Sequence, residues 1–256
     1  MDIKWFGTAT MILSEGDHSL LFDPFVSMNP QVGVYSHEKA EKVDDVLITH
    51  GHFDHLVDVP DLIERYGQTV HCSETAAVTL MKKGVDSANI NVIKPGDILE
   101  LGPFTINVME GKHIKFDLKL IRKTLFNRRV IKHRDNLKEI VSSNRDFPEG
   151  EVLVFKIDVN GKTIIALGSM NLAKKVNYPK GADLLILPFQ GRSDINKYAI
   201  KFIKKLKPMS VYLHHFDDTF PPVSKEVNFK KFLKTMKRRF RKIDVLVPKY
   251  GESIEL

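Results

Sequence analysis

The chain has 256 residues, of which 43% are hydrophobic and 28% charged, a composition that is ordinary for a globular protein and argues against a disordered or fibrous one. A net charge of +7 favours an anionic partner, although charge alone does not choose among nucleic acid, anionic lipid and a small anionic molecule. No apolar run approaches the roughly 18 residues of a membrane span, and residues 1–6 do not show a basic segment followed by an apolar stretch, so we expect neither membrane insertion nor secretion.

The cysteine content bears on the compartment. Cys72 is the one cysteine, so it cannot form an internal disulfide. Secreted proteins of this size often carry disulfides, whereas thiols stay reduced in the cytoplasm. We therefore expect Cys72 to be a small buried hydrophobic side chain in a cytoplasmic protein.

The first half of the chain is predicted to be rich in strands. Apolar residues that favour strands flank a cluster of turn residues at 14–18, which indicates strands at 2–13 and 19–22. The short apolar run at 45–49 predicts a strand that is buried on both faces and leads directly into a histidine-rich motif. The next predicted elements are helices near 58–66 and 74–83, and strands near 69–71, 89–93, 98–100 and 104–109.

The second half alternates strands and helices. Its predicted strands are at 151–158, 162–167, 183–188 and 210–214, and its predicted helices at 194–206 and 226–240. No repeat of short period and no flexible linker interrupts the chain. The sequence therefore predicts an α/β protein in which residues 1–256 form one domain.

Residues 115–147 are predicted to be a basic insertion. Residues 115–134 contain eight Lys or Arg against one acid, Asp117, and Leu118, Ile121 and Leu125 recur at helical spacing. Because the segment follows a candidate metal ligand, it either contacts substrate as a lid or has a structural role, and the sequence leaves both interpretations open.

Residues 225–242 form a second basic segment, with nine Lys or Arg against Glu226. Phe229, Phe232, Met236 and Phe240 fall on one helical face. This pattern predicts a helix that covers the core and turns its charges to solvent.

The segment Thr49-His50-Gly51-His52-Phe53-Asp54-His55 places three imidazoles and one carboxylate within six residues. Imidazole suits zinc and iron, and a carboxylate adds a harder oxygen ligand. Packing does not explain so dense a cluster, because each buried imidazole would need its own hydrogen-bond partner. Gly51 is expected to let the backbone turn tightly between the ligands.

The motif resembles the T-H-x-H-x-D-H signature of the metallo-β-lactamase superfamily. The opening residues Trp5-Phe6-Gly7-Thr8-Ala9-Thr10 and Leu21-Phe22-Asp23-Pro24-Phe25 resemble the branch that contains L-ascorbate-6-phosphate lactonase and N-acylphosphatidylethanolamine phospholipase D. The resemblance implies a four-layer αββα sandwich of the metallo-β-lactamase type, with metal ligands on loops at one edge of the sheets.

The resemblance also implies a set of metal ligands. His50, His52 and His113 would bind a first metal, and Asp54 and His55 would bind a second together with a histidine late in the chain. The adjacent His214 and His215 compete for that last place, and His215 fits the family's order of histidine, aromatic residue and aspartate better.

One ligand of the family is missing. The family has Gly-Asp-Thr at the end of a central strand, where the aspartate bridges two metals, but this chain has Gly168-Ser169-Met170. The hydroxyl of Ser169 is a poor bridging ligand, so either the second metal is held weakly or another carboxylate, such as Asp23 or Asp217, compensates. Asp23 otherwise suits the orientation of a ligating imidazole.

These residues predict a metal-dependent hydrolase that uses metal-bound hydroxide on a small anionic ester, phosphoester or lactone, with Asp54 as the catalytic carboxylate. The expected cofactor is one or two zinc ions, with manganese or iron as alternatives. Arg192, which follows an apolar strand, is a candidate contact for the anionic substrate.

Three other functions compete with this interpretation. Diiron redox chemistry is disfavoured because diiron members of the superfamily carry a glutamate where this chain has His52. A nuclease or nucleic-acid-binding metalloprotein would use the basic segments, but aromatic residues are not interleaved there as a stacking platform. A non-catalytic metal-binding protein is the third alternative. We therefore expect a small-molecule substrate rather than nucleic acid, and the sequence does not predict an oligomeric state.

Overall fold

The structure is a computed structural model that describes the backbone of residues 1–256 and every side chain except those of Ile121, Lys123 and Leu125. The apolar face predicted at Ile121 and Leu125 therefore lies outside the described side chains. The strands are β1 (Asp2–Gly7), β2 (Thr10–Glu15), β3 (His18–Phe22), β4 (Asp45–Leu47), β5 (Thr69–Cys72), β6 (Ile90–Val92), β7 (Ile98–Leu101), β8 (Phe104–Glu110), β9 (Leu153–Val159), β10 (Lys162–Leu167), β11 (Leu184–Pro188), β12 (Ser210–His214), β13 (Asp244–Leu246) and β14 (Ser253–Glu255). The α-helices are α1 (Phe53–Leu56), α2 (Val59–Tyr66), α3 (Glu74–Lys82), α4 (Leu118–Leu125), α5 (Arg129–Lys132), α6 (Arg134–Asp146), α7 (Ile195–Tyr198), α8 (Ile200–Leu206) and α9 (Lys230–Arg239).

Within this described backbone, the strands form two seven-stranded mixed sheets. The first has the order β14-β1-β2-β3-β4-β5-β6, and the second has the order β13-β12-β11-β10-β9-β8-β7. In the first sheet β3, β4 and β5 are parallel neighbours, and the histidine motif follows β4. In the second sheet β10, β11 and β12 are parallel neighbours, and His215 follows β12. The carboxyl ends of parallel neighbours meet at one sheet edge, which brings the loops after β4 and β12 to their respective edges.

Three apolar clusters separate four layers. The cluster between the sheets contains Trp5, Phe22, Phe104 and Phe155, all of them buried. A second cluster joins the outer face of the first sheet to α1, α2 and α3, and a third joins the outer face of the second sheet to α8 and α9. Alternate residues of β9 and β10 enter different clusters because side chains alternate across a strand. The predicted four-layer αββα sandwich is confirmed.

The predicted strand at 2–13 was wrong as one element. It is broken into β1 and β2, which pair as an antiparallel hairpin around Thr8 and Ala9. Gly7 has a φ of +127° and Thr8 a φ of +47°, and the indole Nε1 of Trp5 donates a hydrogen bond to the carbonyl of Thr8 at 2.9 Å. Apolar residues lie on both sides of this turn, so the sequence pattern indicated one continuous strand.

The basic insertion contains three helices, α4, α5 and α6, and its last helix is tied to the core. Ile140 of α6 and Phe147 are buried in the cluster that covers the first sheet. The predicted helix at 226–240 is present in a shorter form as α9, with Phe232 and Met236 buried as expected. The sequence did not predict β13 and β14, which are only three residues long. No helix in the described part of the chain is both long enough and apolar enough to cross a bilayer.

A pair of isoleucines on neighbouring strands tests which face is core. Ile106 of β8 is fully buried between the sheets, whereas Ile98 of the edge strand β7 is 60% exposed. We predict that Ile106→Ala lowers the free energy of unfolding in urea by about 2–5 kcal/mol, because it leaves a cavity in a packed core. The matched control Ile98→Ala should change it by less than about 0.5 kcal/mol. Equal losses in the two variants would contradict this arrangement of the sheets.

Candidate metal centre

The histidine motif is fixed by a buried carboxylate, Asp23, which follows β3. The Asp23 carboxylate accepts hydrogen bonds from the backbone N–H and the hydroxyl of Thr49, both at 2.8 Å. Its Oδ2 also lies 2.9 Å from Nδ1 of His55. Asp23 thereby ties the end of β3 to both ends of the motif that follows β4.

These contacts determine which nitrogen of two imidazoles is free. Because the Thr49 hydroxyl donates its proton to Asp23, it acts as the acceptor at 3.0 Å from Nδ1 of His50. In the neutral imidazoles of His50 and His55 the proton thus lies on Nδ1, and each Nε2 keeps its lone pair. A lone pair on Nε2 is what a metal ligand requires.

A first group of donors is formed by His50, His52 and His113, whose ligand atoms lie within 4.8 Å of one another. Nε2 of His50 is 3.1 Å from Nδ1 of His52, and Nδ1 of His113 donates to the carbonyl of Ile114 at 2.9 Å. Two nitrogens on one tetrahedral zinc at about 2.0–2.1 Å would be about 3.4 Å apart. The spacing of His50 and His52 fits such an ion.

A second group consists of Asp54, His55 and His215, again with ligand atoms within 4.8 Å. Oδ2 of Asp54 lies 3.4 Å from Nε2 of His215 and 3.6 Å from Nε2 of His55. The structure brings His215 to this group and leaves His214 out of it. His214 is buried on β12, and neither of its ring nitrogens has a hydrogen-bond partner among the described residues.

The electrostatics of the first group keep its imidazoles neutral. Burial, followed by the neighbouring imidazoles, holds the pKa of His50 well below its ordinary value. Burial lowers the pKa of His52 to about 4 and also lowers that of His113. Neutral imidazole is the form that binds metals, so the three residues are ready to bind at neutral pH.

In the second group, neighbouring charges outweigh burial and favour the charged forms of Asp54 and His55. Burial by itself raises the pKa of Asp54, but the imidazoles of His55 and His215 outweigh it and hold the carboxylate ionised. Burial also lowers the pKa of His55, yet the carboxylates of Asp23 and Asp54 outweigh it and the pKa is raised. Two carboxylates that stabilise positive charge on an imidazole would stabilise a bound cation in the same place. The donor set as a whole therefore fits divalent metal ions.

Comparison with known proteins agrees with this geometry. A family model described as metallo-beta-lactamase superfamily matches residues 3–121, which include the histidine motif and His113. The chain is 27% identical to a UPF0173 metal-dependent hydrolase of Archaeoglobus fulgidus, over 100% of this chain and 99% of that protein. The chain has the metallo-β-lactamase fold and is similar to this superfamily over the matched segment. Its full-length similarity to that relative, together with the two donor groups, makes it a metal-dependent hydrolase with this fold.

Solved structures of low sequence identity share the fold of the hydrolase. Igni18, a metallo hydrolase from Ignicoccus hospitalis, has a TM-score of 0.66 at 20% identity and covers 100% of this chain and 98% of its own. Zinc-bound PqqB from Methylobacterium extorquens has a TM-score of 0.59 at 13% identity, with 100% of both chains covered. At these identities the likeness concerns the fold alone.

Ser169 lies beside the first donor group of the hydrolase. Its hydroxyl accepts a hydrogen bond at 3.0 Å from the backbone N–H of Ile114, the residue after His113. The amide of Asn171 donates to the carbonyl of His113 at 3.1 Å. The segment after β10 thus holds the His113 loop through neutral groups, where the family pattern has a carboxylate.

Gly51 matters for a different reason from the one that the sequence indicated. Its φ is not positive, but a Cβ at this position would lie 2.2 Å from the carbonyl oxygen of Pro148. The backbone N–H of Gly51 donates to the carbonyl of Glu149 at 2.9 Å. Only glycine therefore permits the close approach between the motif and the segment that ends the insertion.

Sequence reasoning missed Glu149. Its carboxylate Oε2 lies 3.6 Å from Nδ1 of His113 and 3.9 Å from Nε2 of His52, on the partly exposed side of the first group. No sequence motif surrounds Glu149, and about a hundred residues separate it from His52. Its place beside the first donor group follows from contacts in the folded chain, among them the hydrogen bond from the Gly51 N–H to its carbonyl.

The structure does not bring Arg192 into either donor group. Its Nε donates to Asp194 at 2.6 Å, one terminal nitrogen donates to the carbonyl of Lys115 at 3.1 Å, and the guanidinium lies over the ring of Tyr198. Its role as a substrate contact stays a prediction.

His215 is held in place by the turn between β1 and β2. His215 has a φ of +55°, and its backbone N–H donates to the carbonyl of Thr8 at 2.8 Å. The backbone N–H of Thr8 donates in turn to the buried carboxylate of Asp217, at 3.0 Å from Oδ2, and the hydroxyl of Tyr250 donates to the same oxygen at 3.2 Å. Asp217 thus fixes the turn that holds His215.

We predict that Asp217→Ala destabilises the protein by about 1–3 kcal/mol in urea unfolding, because the buried N–H of Thr8 loses its acceptor. Asp194→Ala is the control, since that carboxylate is exposed and pairs with Arg192 at the surface. The control should change the free energy of unfolding by less than about 1 kcal/mol. An Asp217 variant as stable as the wild type would show that the turn is held by other contacts.

Proposed function

We propose that the protein hydrolyses a small anionic ester, phosphoester or lactone, with one or two divalent metal ions bound by His50, His52, His113, Asp54, His55 and His215. The observation that carries the proposal is the convergence of two donor groups whose imidazoles present free nitrogens to a common space. A divalent cation bound there would lower the pKa of bound water from 15.7 to about 7 and so would supply hydroxide at neutral pH.

Zinc is the metal that we propose, with manganese or iron as alternatives. Three imidazoles without a thiolate form a donor set that zinc accepts with an open fourth position. The zinc in PqqB supports this choice by analogy of fold.

Asp54 is proposed to orient the attacking water and to accept its proton at Oδ2. Its carboxylate is buried, is held ionised by two imidazoles and faces the interior of the site. Asp23 acts through His55, whose Nδ1 proton it fixes so that Nε2 points toward the site. Neither role requires a serine or cysteine nucleophile, and Cys72 is buried in the core of the first sheet.

An anionic substrate is supported by charge. The chain carries a net charge of +7, and the insertion beside His113 contributes eight Lys or Arg between residues 115 and 134. Ser169 leaves the site with one negative charge fewer than an aspartate would. A positive field at the approaches raises the local concentration of an anion. The likeness of the opening residues to the lactonase and phospholipase D branch supports a phosphoester or a phosphorylated lactone.

The direct test is a screen of the zinc-loaded protein against phosphodiesters, phosphorylated lactones and thioesters. We predict that His50→Ala lowers kcat/KM by at least about a thousandfold on any substrate found, because a ligand of the first metal is lost. His133→Ala is the control, because His133 lies in the insertion and belongs to neither donor group. Full activity of the metal-replete His50 variant would refute the assignment.

Ser169→Asp tests the position of the missing carboxylate. If Ser169 occupies the bridging position, an added carboxylate would shield two cations that are about 3.5–4 Å apart in typical two-metal sites. We predict that the variant binds the second zinc at least about tenfold more tightly than the wild type, by titration calorimetry and elemental analysis, because one negative charge more faces each ion.

Ser169→Asn is the matched control, since it adds similar volume without charge and should leave the affinity for the second zinc near the wild-type value. Two tightly bound ions in the wild type, with no gain in the aspartate variant, would show that another carboxylate already fills the bridging role.

A further inference from the structure

The two basic segments of the chain differ in the exposure of several of their described apolar side chains. In α9, Phe232 and Met236 are buried against the second sheet, while the lysines and arginines face solvent. In the insertion, Leu118 is 72% exposed, Phe126 is 87% exposed and Ile131 is 78% exposed. The insertion therefore presents both its charges and large apolar side chains to the outside.

Exposed cations lie close in sequence to these side chains. Leu118, Arg122 and Phe126 are spaced four residues apart along α4 and its end, so they lie on one helical face. Arg122 is exposed between the two apolar residues, and in α5 the exposed Lys132 follows Ile131 directly. We define the docking face as Leu118, Arg122, Phe126, Ile131 and Lys132.

We propose that the docking face binds the surface of a bilayer that contains anionic phospholipids. Exposed apolar side chains gain free energy when they leave water, and patches that combine them with cations are typical of protein segments that lie in the interface of a membrane. The lysines and arginines would contact the headgroups, while Phe126 and Leu118 would enter the boundary of the acyl chains.

Charge disfavours a second copy of the chain as the occupant. Residues 115–134 hold eight Lys or Arg and one acid, so two docking faces in contact would bring like charges together. Nucleic acid fits less well than lipid, because Leu118 and Ile131 have no ring on which a base can stack.

The segment that carries the docking face begins beside the metal centre. The ring of Phe116, just before α4, has its centroid 5.8 Å from that of His113. Arg129 of α5 pairs with Asp218 and donates to the carbonyl of Ser224, in the segment that follows His215. Because Glu149, just after the insertion, is also near His113, the segments at both ends of the insertion lie beside the metal centre.

The test is flotation of the full chain with vesicles of phosphatidylcholine that contain roughly 30% phosphatidylglycerol. We expect binding to these vesicles, little binding to pure phosphatidylcholine, and weaker binding as salt rises. The double variant Leu118→Ser and Phe126→Ser should weaken binding at least about tenfold, because two apolar side chains no longer leave water. Arg122→Gln with Lys132→Gln should weaken it as well.

Two matched controls locate the effect. Met209→Ser removes an apolar side chain that is 61% exposed outside the insertion, and Lys234→Gln with Lys237→Gln removes two exposed charges from α9. Both should bind vesicles like the wild type, and all variants should unfold at the wild-type temperature.

Three outcomes would overturn the proposal: no binding to the anionic vesicles, binding that Leu118→Ser and Phe126→Ser leave unchanged, or loss by this double variant of a dimer or of oligonucleotide binding instead of vesicle binding. Vesicle binding requires neither metal nor substrate. Its failure is therefore distinguishable from failure of the proposed hydrolysis, which a water-soluble substrate tests without vesicles.

Discussion

The arrangement of the metal centre depends on the carboxylate of Asp23. It accepts both polar hydrogens of Thr49 and lies 2.9 Å from Nδ1 of His55. Without this acceptor, the Thr49 hydroxyl would be free to rotate, and the imidazole protons would not be confined to Nδ1. The strands before Asp23 and Thr49 are parallel neighbours, β3 and β4, so the fold delivers the acceptor and its donors to one edge of the sheet. The pairing of β3 with β4 thus places the Asp23 carboxylate where it fixes the imidazole protons on Nδ1 and leaves Nε2 free.

Close approach of backbone segments then joins the two sheets at this edge. A Cβ on Gly168 would lie 2.5 Å from the carbonyl of Leu153 and 2.6 Å from Cβ of Thr49, and a Cβ on Gly51 would meet Pro148. The backbone N–H of Leu153 donates to the carbonyl of Thr49 at 2.8 Å. These contacts bring the loops after β4 and β10 together without intervening side chains. The first donor group forms where they meet, and Ser169 supports the His113 loop from the second sheet.

Much of this could be predicted from the sequence. The dense motif at residues 49–55 predicted four of the donors that the structure brings together, and the family resemblance implied His113 and His215. Apolar runs predicted most strands. The turn at Thr8 was not predicted, because apolar residues flank it on both sides and the carboxylate that holds it, Asp217, is more than two hundred residues away. Glu149 was also missed, because its contacts with His52 and His113 join residues that are distant in sequence. The exposure of Leu118 and Phe126 was missed because helical periodicity gives a face but not the side on which the core lies. The organisation of residues 1–256 as one domain stays a prediction.

The most direct measurement of the central claim is anomalous diffraction, at the zinc absorption edge, from crystals of the protein loaded with zinc. We expect a peak bound by His50, His52 and His113, with a second, weaker peak beside Asp54, His55 and His215 because no bridging carboxylate stands at Ser169. An absence of zinc from the first group, or a zinc held by His214 in place of these residues, would contradict the account.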